Sequence, residues 1–237
     1  MANPYFRFKQ FTIYHDKCAM KVGTDGVLLG AWVNPEKDHS ILDIGTGSGL
    51  ISLMLAQRTS AEIDAIDIDK DAYLQAQENI SKAPFENLFQ IYHSSLKSFV
   101  TQTKKKYDLI VSNPPYFIDS LKTPDEQRNL ARHTDELSLY DLIIDSKKLL
   151  NSNGRIALIL PFDQQSLLQK IIEENGLFIY RQTNVIPIQG GVPKRILIEL
   201  SGHEISEPQI ESLTIEINRH QYTPEFCTLT KDYYLKM

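Results

Sequence analysis

Residues 41–49, ILDIGTGSG, decide the fold. A strand-like run ends in a loop of three glycines, and the apolar residues 50–56 that follow have the composition of a helix. Strand, glycine loop and helix in this order open a Rossmann-like unit, where the glycines let a ligand approach the backbone. The glycines are spaced G-x-G-x-G, whereas the nicotinamide dinucleotide fingerprint is G-x-G-x-x-G. The stretch therefore predicts a ligand loop in an α/β fold, but not a typical dinucleotide site.

Two acids frame this loop. Asp43 comes directly before it, and Asp67 lies 24 residues further on, at the end of the next strand-like run, 62–67. A carboxylate accepts hydrogen bonds from two vicinal hydroxyls better than a neutral residue does. We therefore expect Asp67 to hold a ribose, with Ile68 packed on the attached base. The alternative is that Asp67 is a surface carboxylate.

A second motif, residues 113–116 with the sequence NPPY, follows the strand-like run 107–112. The Asn113 amide oxygen can accept a hydrogen bond, and Pro115 biases Pro114 towards an extended conformation that holds its carbonyl in place. Tyr116 adds a flat face for a planar group. Two acceptors and a ring around one NH2 group predict a site for an amide or an exocyclic base amine. The alternative is a plain Pro-Pro turn after a strand.

The rest of the chain reads as alternating strands and helices. The fold class we expect is α/β and Rossmann-like, with a seven-stranded, mostly parallel sheet, an antiparallel last hairpin and helices on both faces. We expect a single domain, 1–237, with an N-terminal hairpin and helix extension at 1–35 and a C-terminal extension at 203–237. The predicted sheet strands are 41–44, 62–67, 88–92, 107–112, 155–160, 177–186 and 195–200, with a further edge strand at 213–217, and the predicted helices include 70–82, 139–150 and 164–174.

Composition narrows the class of protein. The 237 residues carry a net charge of −5, which argues against broad non-specific nucleic-acid binding but leaves room for a local basic patch. Cys18 and Cys227 lack metal-ligand spacing, so we expect reduced thiols, no metal and a cytoplasmic protein. No apolar run is long enough to span a membrane, and the N-terminus has no signal region.

A long polar stretch follows the NPPY motif and extends to residue 138. Loops of this length in a compact domain are often functional. Arg128 and Arg132 are spaced i, i+4 and precede His133, so one helical turn would place both arginines on one face. Phosphate binding and salt bridges to nearby acids are both open interpretations.

The glycine loop after Asp43 resembles the first motif of S-adenosylmethionine-dependent methyltransferases. The NPPY tetrapeptide resembles the motif of amino-methyltransferases that act on adenine N6, cytosine N4 or glutamine N5. Related enzymes often place an Asp against the cofactor adenine after the third strand, and Ser95 stands there in this chain. Thr24 or Asp25 either caps a helix that carries the apolar run 27–33 or has a ligand role. The cofactor-binding residues that the resemblance implies are Asp43 near the methionine end, Gly45, Gly47, Gly49, Asp67, Ile68, Ser95 and Thr24.

Further segments make the resemblance more specific. Residues 21–32, 113–117, 128–133, 222–226 and 232–235 together resemble the bacterial tRNA (adenine-N6) methyltransferases that act on adenine 37 of a valine tRNA. This resemblance covers nearly the whole chain and implies S-adenosylmethionine as cofactor and tRNA as partner. The residues it implies are Asn113, Pro114 and Tyr116 for catalysis and Pro115, Phe117, Arg128, Arg132 and His133 for substrate binding.

Other functions share parts of this pattern. Glutamine N5-methyltransferases of release factors carry the same tetrapeptide, but a helical domain precedes their glycine loop, whereas only about 40 residues precede it here. An RNA methyltransferase acting on a ring nitrogen or a guanine amine is a further option. A regulatory module that only binds the cofactor would not need the Asn113 motif.

Overall fold

The fold is built from long apolar strands that need cover on both faces. The computed structural model describes residues 3–115 and 137–236. The strands are β1 Tyr5–Arg7, β2 Thr12–Tyr14, β3 Ser40–Ile44, β4 Glu62–Asp67, β5 Phe89–His93, β6 Tyr107–Ser112, β7 Leu150–Pro161, β8 Phe178–Ile188, β9 Arg195–Ser201, β10 Gln209–Asn218 and β11 Gln221–Tyr222. The helices are α1 Thr24–Trp32, α2 Leu50–Ala56, α3 Lys70–Lys82, α4 Leu96–Gln102, α5 Leu139–Lys148, α6 Gln165–Glu174 and α7 Pro224–Thr230, with a 3₁₀ turn at Phe162–Gln164.

One large sheet runs through the described part of the chain in the order β11-β10-β8-β9-β7-β6-β3-β4-β5. Strands β3 to β7 are parallel to their neighbours among themselves, and β9 is antiparallel to both β7 and β8. The chain moves outward from β3 to β5 and then returns to place β6 on the other side of β3. The strand order therefore reverses between β3 and β6, and ligands bind at such a switch point in open α/β sheets.

Helices cover both faces of the sheet. One core cluster joins apolar residues of α4, α5 and α6 to the sheet, and a second joins α1, α2 and α7 to the opposite face. Because both faces are covered, the central strands are apolar almost throughout, as parallel strands normally are. Polar side chains with free hydrogen-bonding capacity are therefore left mainly at the strand ends.

The N-terminal hairpin, β1 with β2, packs against α3 and the C-terminal residues. Phe8 stacks on Phe11 at 4.8 Å between ring centroids, and Tyr233 lies in the same buried cluster. The buried Asn79 amide donates to the carbonyls of Tyr14 and Ser48 and accepts from the Tyr14 N–H. One side chain thus connects the hairpin to the glycine loop.

The expected fold class is confirmed, and the sheet is larger than predicted. All seven predicted strands are present, the predicted further strand at 213–217 lies within the longer β10, and β11 adds one more strand beside β10. Strand β7 begins at Leu150 instead of residue 155, because Leu150 already pairs with Tyr107 of β6 and the pairing resumes at Arg155 after a register shift. The N-cap of α1 is Gly23 and makes no side-chain cap, so the prediction that Thr24 or Asp25 caps this helix is wrong. Helices α4 and α7 were not predicted, and the division into a core and two extensions stays a prediction.

Among the helices of residues 3–115 and 137–236, none combines the length and the hydropathy that crossing a bilayer requires.

Replacing Asn79 tests the connection between the hairpin and the glycine loop. We expect Asn79→Ala to lower the free energy of unfolding by about 2–4 kcal/mol, because three backbone groups lose their buried partner. Urea denaturation measures this, with Gln77→Ala as the control: Gln77 is an exposed residue of the same helix, so its substitution should change stability by less than about 0.5 kcal/mol. Equal midpoints for the two variants would contradict the structural role of Asn79.

Candidate functional site

The switch point brings the two sequence motifs together. The glycine loop follows β3, and Asn113 follows β6, so both lie at the carboxyl ends of neighbouring parallel strands. The Ser112 hydroxyl donates to the Ile44 carbonyl at 2.8 Å and ties the two strand ends together. A ligand held by the loop would therefore lie next to Asn113.

The loop is shaped by its glycines and by β4. Gly45, Gly47 and Gly49 have φ of 69°, 57° and 81°, a region that non-glycine residues rarely adopt. The Gly45 N–H donates to the Ile66 carbonyl at 2.9 Å, and the Gly47 N–H donates to Asp67 Oδ2 at 2.8 Å. A Cβ atom at Gly45 or Gly47 would meet no atom within 4 Å. The backbone of the loop thus faces open space on one side, as a ligand cradle requires.

Asp43 lies fully buried beneath the loop and fixes its shape. Its Oδ2 accepts hydrogen bonds from Thr46 Oγ1 at 2.7 Å, Ser52 Oγ at 2.7 Å and the Ser52 N–H at 3.2 Å. Its Oδ1 is buried and has no hydrogen-bond partner among residues 3–115 and 137–236. Burial raises the pKa of the Asp43 carboxyl to about 6, and the hydrogen bonds from Ser52 and Thr46 oppose this shift. Contact between Asp43 and the cofactor stays a prediction.

Asp67 stands at the carboxyl end of β4, beside the loop. Its Oδ2 accepts from the Gly47 N–H, and its Oδ1 accepts from the Asp69 N–H at 2.9 Å. Each carboxylate oxygen keeps further acceptor capacity. Burial raises the pKa of Asp67, although the Asp69 and Gly47 N–H groups act in the opposite direction. The carboxylate is thus preorganised to accept hydrogen bonds from a ligand.

Ile68 presents an apolar surface next to this carboxylate, with 60% of the residue exposed. His93, at the end of β5, contacts the Ile68 carbonyl through Nε2 at 3.0 Å, and its ring lies 5.7 Å from that of Tyr73. An exposed aliphatic side chain on a supported backbone suits a flat apolar ring. The exposure of Ile68 is compatible with its predicted packing on a base, and His93 contacts the Ile68 backbone.

Ser95 has a structural task at the same edge. Its hydroxyl oxygen accepts from the Ser98 N–H at 3.2 Å and caps α4. The hydroxyl hydrogen is left to donate, so Ser95 differs from an Asp, which only accepts when ionised. Whether Ser95 contacts the cofactor adenine stays a prediction.

Asn113 lies against the first turn of α1. A Cβ atom at Gly26 would lie 3.8 Å from Asn113 Nδ2. Asp25 in the same turn pairs with Arg195 of β9, Nε to Oδ2 at 2.8 Å. Pro114 is buried, whereas the following residue, Pro115, is exposed. The residue that follows β6 thus lies beside α1, and the Asp25–Arg195 ion pair joins α1 to β9.

The predicted site residues divide into two groups. The structure brings the glycine loop, Asp67 and Asn113 together at one sheet edge, with Thr24 at the start of α1. The predictions for Tyr116, Phe117, Arg128, Arg132 and His133 lie outside the described residues.

Sequence reasoning missed three supporting residues. Ser52 is the one polar residue in the apolar run 50–56, and that isolation was the available signal for its contact with Asp43. Gly26 and Arg195 gave no such signal, because their importance comes from contacts with distant residues.

Within residues 3–115 and 137–236, no group of three or more His, Cys, Asp or Glu side chains could hold a metal ion.

Comparison with known proteins identifies the family. Residues 19–175 match the family model of the methyltransferase small domain. A curated tRNA1(Val) (adenine(37)-N6)-methyltransferase of Parabacteroides distasonis is 61% identical over 237 residues, covering all of both chains. The chain belongs to this methyltransferase family. A Bacteroides fragilis protein of the same name is 48% identical over 238 residues and also covers both chains completely.

Solved structures agree on the fold. A predicted O-methyltransferase of Agrobacterium tumefaciens superposes with a TM-score of 0.66 and covers 88% of this methyltransferase and 96% of its own chain. At 18% identity this likeness shows the fold alone. The expected membership of the Rossmann-like methyltransferases is confirmed.

The buried Asp43 carboxyl should make stability depend on pH. The folded protein keeps the Asp43 proton up to about pH 6, whereas the unfolded chain releases it near the usual pKa of 3.8. Stability from this proton is therefore fully present below about pH 4 and is lost as pH rises through 6, by on the order of 3 kcal/mol. We expect the free energy of unfolding of wild type, relative to Asp43→Asn, to fall across this window.

Chemical denaturation at several pH values measures the difference between the two proteins. Asp67, whose pKa is also raised, is present in both proteins and cancels in the comparison. A difference that stays constant between pH 4 and 7 would show that Asp43 does not titrate in this range.

Proposed function

We propose that this methyltransferase transfers a methyl group from S-adenosylmethionine to the exocyclic N6 of adenine 37 in a valine tRNA. The observation that carries the proposal is the position of Asn113 beside the glycine loop, in a chain 61% identical over its full length to a methyltransferase named for this substrate. A tRNA substrate would place the enzyme in the cytoplasm.

The residues around the loop fit S-adenosylmethionine. Asp67 offers a fixed carboxylate for the ribose hydroxyls, and Ile68 offers an exposed apolar side chain for the adenine. The neighbouring acid Asp69 makes this end of the site more negative, which favours hydroxyls over a phosphate group. The backbone at Gly45 and Gly47 leaves room for the methionine portion.

When bound, S-adenosylmethionine supplies an activated methyl group on a positively charged sulfur. The acceptor amine is a weak nucleophile, because its lone pair is delocalised into the adenine ring. The Asn113 Oδ1 and the Pro114 carbonyl would each accept one amine hydrogen and favour a more tetrahedral nitrogen as the new bond forms. The buried position of Pro114 keeps its carbonyl in place.

An anticodon loop suits such a site. Its bases can be splayed out at lower cost than bases in a duplex. The alternative substrate, a glutamine of a release factor, is not favoured, because the relatives that match this chain over its full length are named for adenine 37 of a tRNA.

Replacing Asp67 tests the cofactor site. We expect Asp67→Ala to weaken S-adenosylmethionine binding on the order of 100-fold, since two charge-assisted hydrogen bonds to the ribose are lost. Asp67→Asn, which keeps one carbonyl oxygen, should lose less. Calorimetry measures both affinities.

Asp71→Ala is the matched control, since Asp71 is an exposed acid in the first turn of α3. It should bind S-adenosylmethionine like the wild type. Unchanged affinity in a folded Asp67→Ala variant would remove Asp67 from the site.

Transfer of labelled methyl groups to unmodified tRNA tests the reaction. Digestion of the product should release N6-methyladenosine from a valine tRNA. Asn113→Ala should keep cofactor affinity and lose turnover by on the order of 10² or more, by analogy with removing one preorganised polar group. Label on glutamine of a release factor, or an Asn113→Ala variant with near-normal turnover, would contradict the proposal.

A further inference from the structure

Some strands of the large sheet extend beyond the active site. The pairing of residues between strands shows which residues of the other strands lie beside Asn113. Its neighbour Ser112 pairs with Leu158 of β7. Asn113 therefore lies level with the next residue of β7. That level continues through Ile159 of β7, Leu197 of β9, Thr183 of β8 and Glu211 of β10.

Two strands continue well beyond this level. β8 runs five residues further, to Ile188, and β10 runs seven residues further, to Asn218. At about 3.3 Å per residue, β8 alone extends about 16 Å beyond Asn113. Because β8 and β10 are parallel to β7, both extend on the side where the parallel strands have their carboxyl ends. We call this projection, residues 184–195 and 212–222, the overhang.

Backbone hydrogen bonds hold the overhang in shape. The Gln189 N–H donates to the Glu216 carbonyl at 2.8 Å and joins the loop after β8 to β10. The Lys194 N–H donates to Val185 at 2.9 Å, and the Lys194 carbonyl accepts from Phe162 at 3.1 Å. Lys194 is therefore presented from a backbone that is fixed on both sides. A partner that docks here pays little to order it.

The overhang is basic in an acidic protein. The overhang contains three basic residues, Lys194, Arg195 and Arg219, and one acidic residue, Glu216. The net charge of the overhang is therefore +2, whereas that of the whole chain is −5. Arg195 is paired with Asp25, and Glu216 accepts from the His220 N–H at 3.3 Å. Within the described ranges, the side chains of Lys194 and Arg219 make no hydrogen bond or ion pair, and both residues are exposed.

Exposed apolar residues accompany these charges. Val192 is 63% exposed and Ile188 is 43% exposed, both at the tip between β8 and β9. Val192 stands two residues before Lys194, so an exposed aliphatic group and an unpaired cation are close together in the chain. A polyanion with apolar sugar and base surfaces matches this combination, and the neighbouring catalytic edge is where such a substrate would arrive.

We propose that the overhang is a tRNA-docking surface, in which Lys194 and Arg219 contact backbone phosphates away from the target adenine. The proposal rests on the proposed function, because the polyanion is its tRNA substrate. From β6 to β10 the strand spacing adds up to about 19 Å, so these contacts fall several nucleotides from the reacting base. They position the tRNA and carry no base specificity of their own.

The test uses the double variant Lys194→Ala/Arg219→Ala of the full chain, with an unmodified valine tRNA transcript and binding measured over a range of salt concentrations. Losing two phosphate contacts should raise the Kd on the order of 30-fold at about 0.1 M salt and reduce the salt slope by about 1.4–1.8. The KM for tRNA should rise similarly, with kcat and S-adenosylmethionine affinity unchanged within about twofold.

Lys37→Ala/Lys104→Ala is the matched control. These exposed lysines precede β3 and β6, so they lie at the opposite edge of the sheet, and their loss changes net charge by the same amount. The control should bind tRNA like the wild type. The charge-keeping variant Lys194→Arg/Arg219→Lys should keep the wild-type salt slope.

Three outcomes are decisive against the docking surface. Unchanged tRNA affinity in the alanine double variant would overturn it and leave the proposed function intact. An equal loss in the control would show a general charge effect and also overturn it. A wild-type enzyme that neither binds nor methylates tRNA would overturn both proposals.

Discussion

The pairing of β3 with β6 is the constraint on which the rest of the structure depends. Four residues of each strand pair in parallel, from Ile41 with Leu109 to Ile44 with Ser112. Parallel strands need crossover connections, so the helices that follow β3 and β6 go to opposite faces of the sheet. The chain therefore leaves β3 and β6 towards opposite faces of the sheet. The space between these two strand ends is bordered by the glycine loop, which follows β3, and by Asn113, which follows β6.

In this geometry the glycine loop must be open to a ligand and must also keep one conformation. Hydrogen bonds to two buried acids hold the loop in that conformation. Asp43 accepts three hydrogen bonds from Thr46 and Ser52, and Asp67 accepts from Gly47. Burying a carboxylate without a cation is unfavourable, which is why the pKa of both groups is raised. The site therefore gives up some stability near neutral pH to hold three glycines in left-handed conformations.

Local pattern in the sequence predicted most of the sheet, because its central strands are continuous apolar runs between turns. It failed where a distant contact decides the structure. Asp25 was read as a possible helix cap, but its carboxylate pairs with Arg195 instead. The long β10 has few buried residues and was predicted only around Leu213, its one fully buried position. Asn79 likewise acts through Tyr14 and Ser48, partners distant in the chain, which no local pattern shows.

The acidic composition and the proposed tRNA substrate are compatible once charge is considered locally. A net charge of −5 repels nucleic acid at long range, so binding must rely on short-range contacts at the catalytic edge. Among residues 3–115 and 137–236, the site adds little attraction, because Asp43 and Asp67 are acids and Asn113 is neutral. The overhang supplies unpaired cations at that edge while the rest of the surface stays acidic. On this arrangement the enzyme favours a tRNA whose shape reaches the overhang and the active site together, and non-specific binding along other RNA is weak.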